Sequence, residues 1–202
     1  MEGTALKKLL IIGASGHGKV IADIAVKNAY EDIAFLDDDE SIKICAGFPV
    51  IGKVSEAERI PGDKIVAIGN ANIRQRIQED LSSVITLIHP NAVIGRRVEI
   101  ATGCVVMAGA IINSDTVIGK GVIINTGATV DHDCKVGDYA HISVGSHIAG
   151  TVEIGKKTWI GAGAVVSNNL TICDECMVGA GAVVVKNIEI KGTYIGVPAV
   201  KL

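Results

Sequence analysis

The residues best suited to chemistry lie in Val130-Asp131-His132-Asp133-Cys134, where one histidine stands between two aspartates. A carboxylate that accepts from one imidazole nitrogen fixes the tautomer and raises the basicity of the other, so His132 with Asp133 has the makings of a general base. A second candidate is Gly13-Ala14-Ser15-Gly16-His17-Gly18, which follows the apolar run Leu9-Leu10-Ile11-Ile12 and opens a helix-like stretch over residues 19–28. Backbone N–H groups and the helix dipole at such a turn hold phosphate. The order G-x-x-G-x-G departs from the dinucleotide fingerprint, so NAD is not implied. Asp37 and Asp38 close a second apolar run, Ile33-Ala34-Phe35-Leu36, about twenty residues on, where a carboxylate can accept from a ribose or a base edge. A glycine turn and an acidic loop in an ordinary α/β domain is the plainer alternative. His89 and His147 read as structural or surface residues, and Cys45 and Cys173 form no pair with metal-ligand spacing.

The elements that must position His132 follow from a repeat. From Ile88, every sixth residue as far as Ile190 is isoleucine or valine, without a slip. The residue four places after each never carries a charge; Cys104, Cys134 and Cys176 occupy such places and read as buried fillers. A period of six fits no helix. It fits short strands with positions i and i+4 inward and a turn between them, the pattern of a hexapeptide solenoid, or parallel β-helix. Val130 and Cys134 are then inward, and His132 between them faces out at a turn.

The first part of the chain has another grammar. Its apolar runs, including Ile65-Val66-Ala67-Ile68, alternate with helical stretches at 19–28 and 71–80, and residues 84–88 lead through His89-Pro90 into the repeats. Alternating strands and helices predict a small parallel, Rossmann-like α/β domain over residues 1–87, followed by the β-helix over 88–202. The net charge of -3 and pI near 5.9 exclude a nucleic-acid footprint. Residues 1–8 lack the apolar core of a signal peptide, no run is long enough for a membrane span, and the cysteine usage fits the cytoplasm.

The repeats resemble those of the hexapeptide acyltransferases, whose coils are left-handed, triangular and three hexads each. The hand comes from that resemblance, because the general crossover rule points the other way. Gly13–Gly18, Phe35-Leu36-Asp37-Asp38, Ala67-Ile68-Gly69-Asn70 and the terminal Gly196-Val197-Pro198-Ala199 together resemble the bacterial sugar acetyltransferases over essentially the whole chain. The members that N-acetylate UDP-4-amino-4,6-dideoxy sugars, as in bacillosamine biosynthesis, are the most similar in pattern.

That resemblance implies an acetyl-CoA-dependent N-acetyltransferase with direct transfer, acting as a cytoplasmic homotrimer in glycan biosynthesis and needing no metal. At three hexads per coil His132 and His141, nine residues apart, point away from each other, so active sites are expected at subunit interfaces. By it, His132 matches the general base, Asp133 its partner (glutamate in relatives) and Asn125 a residue near the acceptor. His141 matches a donor contact and Gly150 a backbone N–H for the thioester oxygen. Ala162, Gly179 and Ala180 match contacts to the pantetheine arm, with Lys186 and Pro198 near the adenine end; a plain solvated lysine is an equal reading of Lys186. Ser15, Gly16, His17, Asp37, Asp38 and Gly69 match nucleotide-sugar contacts. Two alternatives stay open: an O-acetyltransferase acting on another sugar such as a sialic acid, and a β-helix zinc hydratase using histidines across subunit interfaces.

Overall fold

The computed structural model describes residues 6–202; residues 1–5, including most of the stretch read for a signal peptide, lie outside the described residues. The chain divides into two compact units, Met1–Pro90 and Asn91–Leu202.

Among the described residues, the first unit holds a five-stranded sheet in the order β3-β4-β2-β1-β5. The elements are β1 (Lys8–Ile12), α1 (Gly16–Lys27), β2 (Asp32–Leu36), β3 (Ile44–Cys45), β4 (Phe48–Gly52), β5 (Asp63–Val66) and α2 (Ala71–Glu79). β1 lies parallel to both β2 and β5, and only the short β3–β4 pair is antiparallel. Leu9, Leu10, Ile11 and Ile12 are fully buried, as befits a central parallel strand covered on both faces. Helix α1 turns Ile21, Ala22, Ile24 and Ala25 inward. Helix α2 begins where the Asn70 side chain accepts from the N–H groups of Asn72 and Ile73. The sequence reading found β1, β2, β5 and both helices but missed β3 and β4. β3 is two residues long and β4 carries Pro49, which breaks the strand pattern.

The second unit is a parallel β-solenoid. Its two-residue strands recur every six residues, and each pairs with the strand eighteen residues on, as Ile111↔Thr129 and Thr129↔His147. Three faces result. One is a six-stranded sheet running from Val93–Ile94 to Val183–Val184, called here the first face. The second, from Glu99–Ile100 to Thr171–Ile172, has five strands. The third runs through Val105–Val106, Ile123–Ile124, His141–Ile142, Trp159–Ile160 and Met177–Val178, and ends in the hairpin Thr193–Ile195 and Val200–Lys201.

The interior is filled as the repeat predicts. Ile112, Ile124, Val130, Ile142, Ile160 and Val166 have no exposure, and neither do Cys104, Ala110, Thr116, Ala128, Cys134, Ala140 and Thr158 at the small positions. Buried hydroxyls find acceptors: Thr116 Oγ1 donates to Asp131 O at 2.7 Å and Thr158 Oγ1 to Cys173 O at 2.8 Å. A third position is equally restricted and was not read. From Ile94 to Val178, the residue three places after each inward Ile or Val has a positive φ, as at Asp115, Asp133, Thr151, Asn169, Gly127, Gly145 and Gly163. Each corner therefore needs the left-handed conformation that glycine, asparagine and aspartate adopt most readily.

The phase fails at the end. Ile172 bridges to Ile188, and Met177 pairs with Thr193, both sixteen residues apart instead of eighteen. Ile188 is accordingly buried at 4% exposure, and Ile190, which the unbroken repeat would place inward, is 64% exposed. We expect Ile188→Ala to cost about 2–5 kcal/mol of stability and Ile190→Ala under about 0.5 kcal/mol, measured by denaturant unfolding. The reverse order would restore the unbroken repeat.

Candidate active site

In the first unit, the residues implied for nucleotide binding sit at the carboxyl edge of the sheet. Ser15 caps α1 by position, with its side chain not bonded to the helix, and Ser15 and Gly16 are exposed. No atom lies within 4 Å of where a Cβ would stand on Gly16 or Gly69, so both leave open space. Gly13 has φ 111°, and Gly18 allows the first turn of α1 to pack directly on the Gly13 carbonyl. Asp37 ties this loop to the end of β2: its Oδ2 accepts the Ala14 N–H at 2.7 Å and its Oδ1 the Asp39 N–H at 2.9 Å. Asp38 Oδ1 accepts the Val54 N–H at 3.1 Å. Both aspartates thus shape the edge, while each oxygen keeps a lone pair for a ligand.

Sequence reasoning missed Arg74 of α2. It is buried to 1% exposure and donates from Nη1 to Ile68 O at 2.9 Å and Gly69 O at 2.7 Å, fixing the loop after β5. Burial, and then the charge of Arg74, lowers the His17 pKa to about 4, so its imidazole is neutral at pH 7. His17 Nε2 is buried without a hydrogen-bond partner among the described residues.

In the second unit, the remaining candidates other than Pro198 fall into two groups at the two ends of the first face. The leading corner, between the third and first faces, carries Asn125, Ala162, Gly179 and Ala180. With His141 and Trp159 from the third face they line one groove of about 420 Å³. Thr126 N–H donates to Asn125 Oδ1 at 2.8 Å, which turns Asn125 Nδ2 toward His141 Nε2 at 3.1 Å. Nε2 is then the acceptor and the His141 ring proton sits on Nδ1. Trp159, eighteen residues after His141, stacks on that ring with centroids 4.8 Å apart and donates from Nε1 to Ser143 Oγ at 2.6 Å. The eighteen-residue spacing could have found it.

The trailing corner, between the first and second faces, carries His132, Asp133 and Gly150. His132 Nδ1 donates to Asp133 Oδ2 at 2.7 Å, leaving the lone pair on Nε2. This hydrogen bond, and then the charge of Asp131, raises the His132 pKa above the usual histidine range. Aspartate reaches the ring because Asp133 holds the left-handed corner position, φ 57°. Gly150 lies one coil on, where a Cβ would come within 2.7 Å of His132 Cε1 and Nε2. It is required for space, since the imidazole occupies what would be its side-chain volume. Lys186, exposed, lies two coils beyond Gly150 in the repeat, and Pro198 is exposed in the terminal hairpin turn. Among the described residues no group of three or more histidine, cysteine, aspartate or glutamate side chains comes together to hold a metal.

The chemistry available is proton abstraction by an outward imidazole at the trailing corner and, apart from it at the leading corner, a groove lined by His141, Trp159 and Asn125. Comparison with known proteins agrees. The family described as PglD N-terminal domain matches residues 8–81, and bacterial transferase hexapeptide (six repeats) matches residues 151–186. The UDP-N-acetylbacillosamine N-acetyltransferase of Bacillus subtilis is 35% identical over 118 residues, 51% of this chain and 52% of that protein, so the match spans about half of that relative. The acetyltransferase domain of PglB from Neisseria gonorrhoeae, solved with acetyl coenzyme A, is 40% identical with a TM-score of 0.93, covering 98% of this chain and 100% of that one. A mutant of perosamine N-acetyltransferase from Caulobacter crescentus, solved with CoA and GDP-perosamine, is 36% identical with a TM-score of 0.91, covering 98% of both chains. With likeness at that level over nearly the whole of both units, the chain belongs to the hexapeptide-repeat sugar acetyltransferases that carry a PglD-type N-terminal domain.

Proposed function

We propose that the protein is an acetyl-CoA-dependent N-acetyltransferase acting on the amino group of a nucleotide-linked 4-amino-4,6-dideoxy sugar, with UDP as the carrier. The observation that carries this reading is the His132–Asp133 pair, an outward base whose Nε2 lies over Gly150. The amine nitrogen attacks the thioester carbonyl, His132 Nε2 takes the nitrogen's proton, and the C–S bond breaks to release the CoA thiolate, which the same proton neutralises. The Gly150 N–H would donate to the oxygen of the tetrahedral intermediate. Asn125 would orient the acceptor, and His141 with Ala162, Gly179 and Ala180 would hold the donor. Lys186 and Pro198 would meet its nucleotide end. Ser15, Gly16, His17, Asp37, Asp38 and Gly69 would hold the sugar nucleotide in the first unit.

The two groups on the solenoid occupy opposite ends of the first face, so one chain cannot bring them to one substrate. A cyclic homotrimer with the first face turned to the axis would set the leading corner of each subunit beside the trailing corner of the next. Side-chain character supports this orientation. Exposed positions of the second face include Glu99, Lys135 and Glu153, with Lys135 Nζ to Glu153 Oε1 at 2.7 Å. On the first face, Val93 and Ile111 stand exposed, and Val165 and Val183 half-buried. No helix among the described residues is long and apolar enough to cross a membrane, and the five cysteines are free thiols, which supports a cytoplasmic site of action.

Free thiol release from acetyl-CoA, screened over UDP-, dTDP- and GDP-linked 4-amino sugars, tests the activity and its carrier; no release with any of them would overturn the assignment. His132→Ala should lower kcat by roughly 10²–10⁴-fold with acetyl-CoA binding little changed, and near-normal turnover would remove His132 from the mechanism. Asp133 raises the His132 pKa and the neutral ring is the base, so Asp133→Asn should move the acid limb of the kcat profile to lower pH. Asp37→Ala should raise KM for the sugar nucleotide and leave kcat largely intact; an unchanged KM would take Asp37 out of the nucleotide site. Subunit exchange between His132→Ala and His141→Ala proteins, each inactive alone, should restore activity in mixed trimers. Silence after confirmed exchange would rule out a shared site.

A further inference from the structure

We infer that Asp131 and Asn113 form a clamp that positions His132 for proton transfer, a role that rests on the general-base reading above. Asp131 Oδ1 accepts two hydrogen bonds, from the His132 N–H at 2.8 Å and from Asn113 Nδ2 at 2.7 Å. Asn113 belongs to the preceding coil, eighteen residues before Asp131, so the clamp ties the base to the coil beneath it. The coil above holds the peptides on either side: Thr151 N–H donates to His132 O at 2.9 Å, and Asp131 N–H donates to Ile148 O at 2.9 Å. Thr151 holds φ 59°, a conformation a β-branched residue rarely adopts. The main chain that carries the imidazole is therefore fixed from three successive coils.

This fixing matters because the side chain itself is exposed, and only Asp133 restrains the ring from within its own corner. A side chain half in solvent keeps a productive direction only if its Cα–Cβ bond is fixed, and proton transfer is sensitive to misplacement of about 1 Å. Asp131 is bonded to the His132 N–H and to Asn113, while the ring is bonded to Asp133, so Asp131 is a positioning residue. The charged groups facing the imidazole are Asp133, through Nδ1, and Asp131; Arg97, paired with Asp115 at 2.6 Å, is the nearby cation and lies in the field of Asp133. Gly150 presents no side chain from the coil above. The Asn113 hydrogen bond, and then the His132 N–H, hold the Asp131 carboxyl below the usual range, so it stays anionic wherever His132 can act as a base.

Two variants separate shape from charge. Asn113→Ala removes an exposed side chain and one arm of the clamp; it should lower kcat on the order of tenfold with both KM values, the Tm and the oligomeric state unchanged. Asp131→Asn keeps an oxygen for the His132 N–H but removes the charge. It should retain most of kcat, lower the His132 pKa in an NMR titration of the imidazole, and move the acid limb of kcat to lower pH by the same amount. Wild-type kcat in Asn113→Ala together with an unshifted His132 titration in Asp131→Asn would overturn the clamp and leave the base assignment standing. A shifted titration with full activity in His132→Ala would instead overturn the base assignment, and the clamp's role in catalysis with it.

Discussion

The interaction on which the rest depends is the hydrogen bond from one coil of the solenoid to the next. Each strand is only two residues long, so no strand holds itself in place. Order comes from N–H groups that meet carbonyls of the next coil, seventeen residues on, as from Asn125 to Ile142 and from Thr129 to Ser146. The corners bond in the opposite direction, to the coil before and nineteen residues back, from Asp133 to Ser114 and from Thr151 to His132. A closed ladder of this kind satisfies the backbone while leaving very little interior, which is why the filling residues are limited to Ile or Val and one small partner.

This constraint also explains how so thin a structure can hold a catalytic group steady. In a loop, an exposed histidine would sample many directions. Here the peptide of His132 is bonded above and below, its neighbour Asp133 is locked in the left-handed corner conformation, and Gly150 clears the space the ring occupies. The same geometry sets Trp159 against His141 one coil away and leaves Asn125 able to present its amide to that ring. Stacking coils places side chains in columns, and a column of chosen residues is a site.

The first unit solves a different problem by different means. A parallel sheet opens a crevice at the carboxyl ends of its strands, and its walls are loops that must be tied down. Asp37 ties the glycine loop to β2, Asp38 ties the start of the segment after β4, and the buried Arg74 ties the loop after β5 by its carbonyls. Burial, and after it the charge that fixes that loop, keeps His17 neutral, so Arg74 contributes to both shape and electrostatics at this edge.

The sequence alone determined the solenoid, because a period of six over half the chain admits no other regular structure. It also determined which residues face inward, and so that His132 must face out. The α/β character of the first unit was legible for its long apolar strands and not for β3 and β4, whose two residues and proline carry too little pattern. Tertiary structure alone decided where the repeat stops: a sixteen-residue step buries Ile188 and exposes Ile190, a change of phase that the isoleucine at both positions conceals in the sequence. It alone showed that Asp37 serves the backbone and that Asp131 is bonded to Asn113, since periodicity gives the column of a residue and not the direction of its side chain. The separation of His132 from His141 was legible in the spacing, since nine residues is half a coil at three hexads per coil. What tertiary structure added is the company each keeps, Trp159 and Asn125 around His141 and Gly150 under His132.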